Sequence, residues 1–470
     1  MDLQEPARPA PHRGVELNPT IFREYDIRGI AERDFDAGFA RELGQTVGTL
    51  ALERGAARVS VGRDCRLTSD RYATALVDGI RSTGLDVVDL GVVTTPLVYF
   101  SIFHWQLDGG IQITGSHNPA EYNGFKICLG TEALHGEQIQ DLRRRLEARQ
   151  FRLGTGRVEP RALIPEYQDY VVRNVGPLAR PIRVVVDAGN GTAGPVAPAI
   201  YRRLGAEVSE LFTTMDGHFP HHHPDPTVEE NMAELVRAVA AEGAELGIAF
   251  DGDADRIGVV DARGRIVWGD ELLVLYARDV LARNPGATIV SEVKCSQRLY
   301  DEIGARGGTG IMWKAGHSLL KAKMKETGAL LGGEMSGHIF FRERYFGFDD
   351  AVYAGARLLD ILGRSGKTVS ELLADLPPAV TTPEIRIDCP DEVKFRIADI
   401  VRDHFRRTSS DVVDVDGVRV RFAHGWGLLR ASNTQPALVM RFEAQTAAQL
   451  AEYRAAVEAA VRDARAAVGA

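Results

Sequence analysis

Three times along this chain an apolar strand opens into a polar loop, and a second apolar strand further on opens into another. The first members are Arg58-Val59-Ser60-Val61 into GRDCR, Arg183-Val184-Val185-Val186 into DAGNGTAG, and Thr288-Ile289-Val290 into SEVKCS. The second members are Ile111-Gln112-Ile113-Thr114 into GSHNP, Leu246-Gly247-Ile248-Ala249-Phe250 into DGDADR, and Leu330-Leu331-Gly332-Gly333 into EMSGH. Helical patterns such as Asp70 to Thr83 lie between the strands, and strand–helix alternation predicts parallel α/β sheets. The spacing within pairs is not constant, which excludes a solenoid. The pattern predicts three related α/β domains. Open α/β sheets bind ligands beyond the carboxyl ends of their strands, so three such domains can aim their loops at one cleft. Asp411 to Ala444 differs: it alternates apolar and polar residues, carries Asp416-Gly417 as a hairpin turn signal, and is flanked by helical patterns ending in the Ala-rich 447–467 segment. It reads as a separate α+β domain, with Pro377-Pro378 as the linker before it.

The bulk numbers agree. At 470 residues the chain exceeds one compact core, and the usual domain size gives about three or four domains. Hydrophobic residues at 44% and charged residues at 26% describe a soluble globular protein. A formal net charge of −9 argues against nucleic-acid partners. Cys65, Cys128, Cys295 and Cys389 form no CxxC pair, so reduced thiols in a cytoplasm are expected. The start is Pro-rich with no apolar stretch, a flexible tail over 1–18 and no secretory signal. Leu90 to Leu107 has no acidic or basic residue and the length of a membrane helix. Thr94, Thr95, Pro96, His104 and Gln106 make it instead a buried strand, a TTP loop and a short buried helix, and no membrane partner is expected.

Four loops carry chemistry. In Thr114-Gly115-Ser116-His117-Asn118-Pro119, followed by Asn123-Gly124-Phe125-Lys126, Gly115 permits a sharp turn after the strand and exposes Ser116 at its tip. A serine hydroxyl needs a base or metal to become a nucleophile, or it arrives phosphorylated and acts as a donor. His117 and Lys126 are near in sequence; the competing reading is a turn whose polar groups satisfy the backbone. In Asp251-Gly252-Asp253-Ala254-Asp255-Arg256, three carboxylates at alternate positions can converge on a hard cation. An EF-hand would need Gly and Glu where Arg256 and Ala262 stand. Magnesium suits few carboxylates plus a phosphate oxygen. In Gly333-Glu334-Met335-Ser336-Gly337-His338, Glu334 and Ser336 can bond adjacent sugar hydroxyls and His338 can shuttle a proton. In Arg430-Ala431-Ser432-Asn433-Thr434-Gln435-Pro436, a guanidinium fork with hydroxyl and amide donors can hold a phosphate that is not reacting; the alternative is an ordinary hairpin loop.

The remaining candidates are less defined. His218, His221, His222 and His223 are too tightly spaced and too Pro-rich for a standard zinc site and read as an interdomain loop. Tyr25 and Arg28 in FREYDIRG reach the cleft or tie down the first strand. Lys294, Lys314 and His317 sit at strand-to-loop junctions. Lys321, Lys323 and Lys325 read as an exposed helix face.

TGSHNP, DGDADR, GEMSGH and RASNTQP in this order resemble the α-D-phosphohexomutase superfamily, and within it the bacterial phosphomannomutase/phosphoglucomutase group, from about Phe22 to Glu443. The resemblance implies four domains around a central cleft: three topologically similar mixed α/β domains over 19–161, 162–265 and 266–377, carrying the phosphoserine, the metal and the sugar-recognition loop, and a C-terminal α+β phosphate-binding domain over 378–470. It implies reversible interconversion of hexose 1-phosphate and hexose 6-phosphate (mannose, glucose or both) through a phosphoserine at Ser116 and a hexose 1,6-bisphosphate. Mg²⁺ would be held by Asp251, Asp253, Asp255 and the Ser116 phosphate, with glucose 1,6-bisphosphate as activator. Arg256 would sit beside the sugar or the phosphoserine. Lys126, His338 and His117 fall among the catalytic positions. Tyr25, Arg28, Lys294, His317, Glu334, Ser336, Arg430, Ser432, Asn433 and Thr434 match substrate contacts. A monomer in the cytoplasm acting on hexose phosphates is expected. GEMSGH resembles the glucose/mannose members, whereas phosphoglucosamine mutases usually show glutamine there and SGTEP in the phosphate loop. Cys65 replaces a residue often glycine in relatives and is read as lying in a peripheral loop. A phosphoglucosamine mutase and a serine-dependent sugar phosphatase are the alternatives; simple hydrolysis has no need of a second phosphate grip.

Overall fold

The structure is a computed structural model and describes residues 17–409, 411–433 and 436–469. Four sheets follow one another along the chain. In the first, strand Gly109–Ile113 runs parallel beside Arg58–Arg63, which runs parallel beside Asp86–Val92. In the second, Leu246–Phe250 lies beside Arg183–Asp187, and that beside Glu207–Leu211. In the third, Leu331–Gly333 lies beside Thr288–Glu292, and that beside Thr309–Trp313. The paired strands of the sequence are thus adjacent and parallel each time. After the second strand of each pair, the polar loop reverses the chain into an antiparallel neighbour: Tyr122–Leu129, Ile257–Asp261 and Ile339–Phe341. The serine loop, the Asp loop and the Glu-Met-Ser loop are three copies of one structural position.

The copies share a continuous apolar core, which places their loops together. Helix Thr95–His104 inserts Leu97, Val98 and Phe100 between the first sheet and Val186, Ile248 and Phe250 of the second. Helix Ala351–Ser365, buried from Ala351 to Gly363, joins the second and third. The apolar segment 90–107 therefore ends a strand and fills an interior helix, with Pro96 in the first helical turn, where its missing N–H costs nothing. No described helix is long and apolar enough to cross a membrane.

The C-terminal sheet is antiparallel and works by period-two alternation. Val418, Val420, Leu429, Ala431, Leu438, Met440 and Phe442 face helices Asp391–Thr408 and Ala447–Val468 and form a separate core. The intervening Arg419, Trp426, Leu428 and Arg441 face the third sheet. Arg419 Nη1 donates to the carbonyls of Val293 and Cys295, both at 2.7 Å, and Arg441 Nη1 to Asp270 Oδ2 at 2.9 Å. Arg430 continues the Trp426–Leu428 face and so points to the cleft.

Candidate active site

Strand Gly109–Ile113 delivers Ser116 into a buried turn. Ser116 has φ +49°, a left-handed conformation that costs a non-glycine residue about 1 kcal/mol or more. A buried arginine that sequence reading passed over imposes it. Arg66 donates from Nη2 to the carbonyls of Ser116 (2.8 Å) and Asn118 (2.6 Å), and from Nη1 to those of Pro119 (2.5 Å) and Tyr122 (3.0 Å). Its Nε donates to Asp64 Oδ2 at 3.1 Å, and Asp64 also accepts from the N–H of Gly115. A Cβ on Gly115 would lie 2.6 Å from the Arg66 guanidinium, so glycine is required there by space. GRDCR is therefore no peripheral loop: its Asp64 and Arg66 build the serine turn. Cys65 lies between them with its Sγ 3.4 Å from the Asn190 carbonyl of the second sheet's loop. The signal was available, since GRDCR occupies the first-strand position of a triplicated unit. The His218–His223 segment packs nearby: the Phe219 ring lies under Arg66, and His222 Nε2 sits 3.0 Å from Asp187 Oδ2.

The Asp loop meets this serine. Ser116 Oγ donates to Asp251 Oδ2 at 2.8 Å and lies 3.1 Å from His117 Nδ1. Asp251, Asp253 and Asp255 are fully buried, and each offers a carboxylate oxygen within 4.8 Å of the others. Ala254, at φ +59°, supplies the curl, and Asp251 Oδ1 accepts from the N–H groups of Asp255 and Arg256. Burial, reinforced by Asp253 and Asp255, pushes the Asp251 carboxyl well up. Burial also pushes Asp253 upward, but the Lys126 ammonium and the Thr95 hydroxyl outweigh it and hold its carboxyl low. Lys126 Nζ is 2.8 Å from Asp253 Oδ2 and is bonded to Asp255 Oδ2. Burial works to lower the Lys126 ammonium, yet the two carboxylates hold it well above the ordinary lysine range. The Oδ1 atoms of Asp253 and Asp255 are buried without a hydrogen-bond partner. Three hard oxygen donors with two unsatisfied atoms fit a small divalent cation.

On the other side stand Arg256, His338, His317 and Arg28. Arg256 Nε donates to His338 Nε2 at 3.0 Å. The rings of His338 and His317 stack at 5.3 Å, and Tyr25 meets His317 edge-on. Arg28 donates to Asn118 Oδ1 at 2.6 Å, tying the first strand to the serine loop. Burial, then the positive charges of Arg256 and Arg28, hold His117 well below the usual histidine range; burial and Lys321 do the same to His317.

A second cluster lies across the cleft. Glu334 Oε1 accepts from the N–H of Gly316 at 2.6 Å, and its Oε2 from Ser336 Oγ at 3.2 Å. Tyr25 donates to the Ala315 carbonyl at 2.6 Å and accepts from Asn433 Nδ2 at 2.9 Å, linking first, third and fourth sheets. Gly316 makes this approach possible, since a Cβ would sit 2.3 Å from the Tyr25 ring. Arg430 is nearly buried and donates from Nε to Asp416 Oδ2 at 2.9 Å, which also accepts from the Ala315 N–H. Asp416 read as a turn signal; it also aims the arginine. Ser432 is buried beside Arg430. Lys294 Nζ is 3.0 Å from Glu384 and 3.5 Å from Glu292. Thr434 and Gln435 lie outside the described residues. Tyr25 and His317 lie between the two clusters, Tyr25 bonded to Ala315 and Asn433 and His317 stacked on His338. One expectation needs correcting: Lys321 is no free surface lysine but donates to the buried Asp349 at 2.8 Å.

Comparison with known proteins identifies the family. The chain matches the phosphoglucomutase/phosphomannomutase family models in order: alpha/beta/alpha domain I over residues 19–153, domain II over 165–264, domain III over 268–380 and the C-terminal domain over 384–460. It is 48% identical over 434 residues to a phosphomannomutase/phosphoglucomutase of Pseudomonas putida, covering 92% of this chain and 94% of the relative. It is 44% identical over 440 residues to a phosphoglucomutase of Neisseria gonorrhoeae, covering 93% and 95%. A crystal structure of a phosphoglucomutase/phosphomannomutase family protein from Burkholderia thailandensis superposes with a TM-score of 0.91 at 44% identity, covering 96% of this chain and 98% of that one. The chain belongs to the phosphoglucomutase/phosphomannomutase family and is a mutase of hexose phosphates.

Proposed function

We propose that the mutase reaction runs through a phosphate carried on Ser116 and that both mannose and glucose phosphates are substrates. The observation that carries this reading is the buried Ser116 Oγ–Asp251 contact inside an Asp triad whose other two carboxylates share one Lys126 ammonium. Asp251, Asp253, Asp255 and the serine phosphate would hold Mg²⁺, which would supply neutralisation of charge on the transferring phosphoryl group. Lys126 keeps its proton and acts as fixed positive charge rather than as a base. His338, whose Nε2 lone pair accepts from Arg256 Nε in this arrangement, takes the proton of the sugar hydroxyl as its oxygen bonds to phosphorus and the bond to Ser116 Oγ breaks. For that transfer Arg256 would have to release His338 Nε2, and its guanidinium would then be free for phosphate. Glu334 and Ser336 hold sugar hydroxyls; Arg430, Ser432, Asn433 and Thr434 hold the distal phosphate; Tyr25, Arg28, Lys294 and His317 complete the walls. The hexose 1,6-bisphosphate must turn round before its other phosphate returns to Ser116, and glucose 1,6-bisphosphate would activate by loading the serine. We place the domain boundaries near 161, 265 and 377, although strand Ile266–Val267 still pairs with Ile257–Asp261 of the second sheet, and the segment at Pro377-Pro378 would act as the hinge for reorientation. GEMSGH favours glucose and mannose over glucosamine phosphates.

The test is a coupled assay with Mg²⁺ and a trace of glucose 1,6-bisphosphate. Mannose 1-phosphate and glucose 1-phosphate are offered separately while free phosphate is monitored. Conversion of both to 6-phosphates, lost in Ser116→Ala, supports the proposal. Conversion of one sugar only overturns the dual specificity and keeps the phosphoserine mutase, and release of phosphate without isomer overturns both.

A further inference from the structure

We propose that Asp349 is a positioning residue for His338: it fixes the imidazole as the tautomer with its proton on Nδ1, leaving Nε2 unprotonated as the nitrogen that takes the hydroxyl proton. Asp349 lies where the chain leaves the third sheet for the central helix, in a bridge with Phe340, and is fully buried. Its Oδ2 is 3.1 Å from His338 Nδ1 and 3.5 Å from His317 Nδ1; its Oδ1 accepts from Lys321 Nζ at 2.8 Å. Lys321 is itself fixed, its ammonium 4.2 Å over the Tyr99 ring.

The tautomer follows from the other side of the ring. Arg256 Nε donates to His338 Nε2, and a guanidinium does not give up its proton in a protein, so Nε2 holds a lone pair. In the neutral imidazole the single proton is then on Nδ1. Two carboxylates lie within reach of that nitrogen, Asp349 at 3.1 Å and Asp255 at 3.6 Å. Asp255 belongs to the proposed cation site and is bonded to Lys126, which leaves Asp349 as the nearer partner, within ion-pair distance of Nδ1 although Asp349 Oδ2 and Nδ1 are not aligned as a hydrogen bond in this arrangement and neither has another hydrogen-bond partner. Burial pushes the Asp349 carboxyl upward, but Lys321 and the two histidines outweigh it and keep it ionised. A carboxylate behind a histidine sets its tautomer and orientation, and its replacement by the amide is costly because the amide favours the wrong tautomer. The role rests on the reading that His338 accepts the proton, and the test separates the two.

The full chain is labelled with ¹⁵N-histidine, and the His338 signals are assigned by their loss in His338→Gln. The wild type is expected to show His338 protonated on Nδ1 and bare on Nε2. Asp349→Asn is expected to shift that signal towards the other tautomer and to lower kcat at least about tenfold with KM changed less than about threefold. The double variant with His338→Gln is expected to be no slower than His338→Gln alone, because both act through one ring. Should Asp349→Asn fold poorly, Lys321→Met reads the same link from outside, with a smaller loss of kcat and the same spectral shift. A bare Nδ1 in the wild type, an unchanged kcat in a folded Asp349→Asn protein, or losses that multiply in the double variant overturn the proposal. If His338→Gln itself keeps normal kcat, the proton-acceptor reading fails instead, and the spectra still decide whether Asp349 sets the tautomer.

Discussion

Arg66 offers a sharp test of how the site is built, because it touches no substrate position and yet holds the serine turn. Its guanidinium is fully buried and makes five hydrogen bonds, four to carbonyls of the 116–122 loop and one to Asp64. Arg66→Met removes all five and leaves the buried Asp64 carboxylate without its counter-charge, which costs about 3–5 kcal/mol by comparison with other broken buried pairs. Arg66→Lys keeps the charge beside Asp64 but cannot span four carbonyls placed around a planar fork. Its stability cost is therefore about 1–2 kcal/mol, the scale of one or two charge-assisted hydrogen bonds. Both variants let the left-handed Ser116 relax, and a displacement near 1 Å at a reacting centre costs about a hundredfold in rate. The assay pairs kcat for hexose phosphate conversion with hydrogen exchange across residues 114–122. Arg66→Lys should lose about a hundredfold in kcat while its exchange rises only in that loop. A lysine variant with normal kcat, or one whose whole first sheet exchanges faster, would refute the argument that the fork positions the serine.

Other substitutions probe the remaining parts. Asp253→Asn should raise the Mg²⁺ concentration for half-maximal activity and lower kcat at least about tenfold, measured by metal titration of the coupled assay. Tyr25→Phe removes the hydroxyl shared by Ala315 and Asn433; steady-state kinetics should show a rise in KM of about fivefold, the equivalent of roughly 1 kcal/mol, larger than any fall in kcat. Glu292 is fully buried, and burial pushes its carboxyl from 4.5 up to about 7 despite the opposing Lys294 charge. The folded protein therefore holds this proton more tightly than the unfolded chain, so the contribution to stability is complete below pH 4.5 and is lost as pH rises to about 7. Glu292→Gln should flatten the fall of the thermal midpoint across that window, and equal slopes for the two proteins would contradict the assignment.

The reach of the sequence depended on the range of the information needed. Strand pairs, the serine and Asp loops and the alternation that turns Arg430 to the cleft are local patterns, and local patterns are legible. Arg66, Asp349 and Asp416 escaped because their roles are set by partners far along the chain or across a sheet. A buried Arg that gathers carbonyls 50 to 56 residues away looks, in sequence, like any polar strand end. Lys321 misled for the same reason: its helix spacing with Lys323 and Lys325 suggests a solvated face, and only the fold turns it onto Asp349. Lys126 could be placed near the serine, but that it stays charged follows from the carboxylates 127 and 129 residues later.

The three repeated sheets also set when chemistry can begin. Ser116 comes from the first, its carboxylate partner from the second, 135 residues on, His338 from the third and Arg430 from the fourth. No early portion of the polypeptide contains both the proposed donor serine and the residues proposed to use it. If Ser116 carries the phosphate as proposed, a chain still emerging from the ribosome lacks the proposed proton acceptor and distal phosphate grip until the third and fourth sheets are made. On that reading catalytic competence is a late event in the life of each molecule.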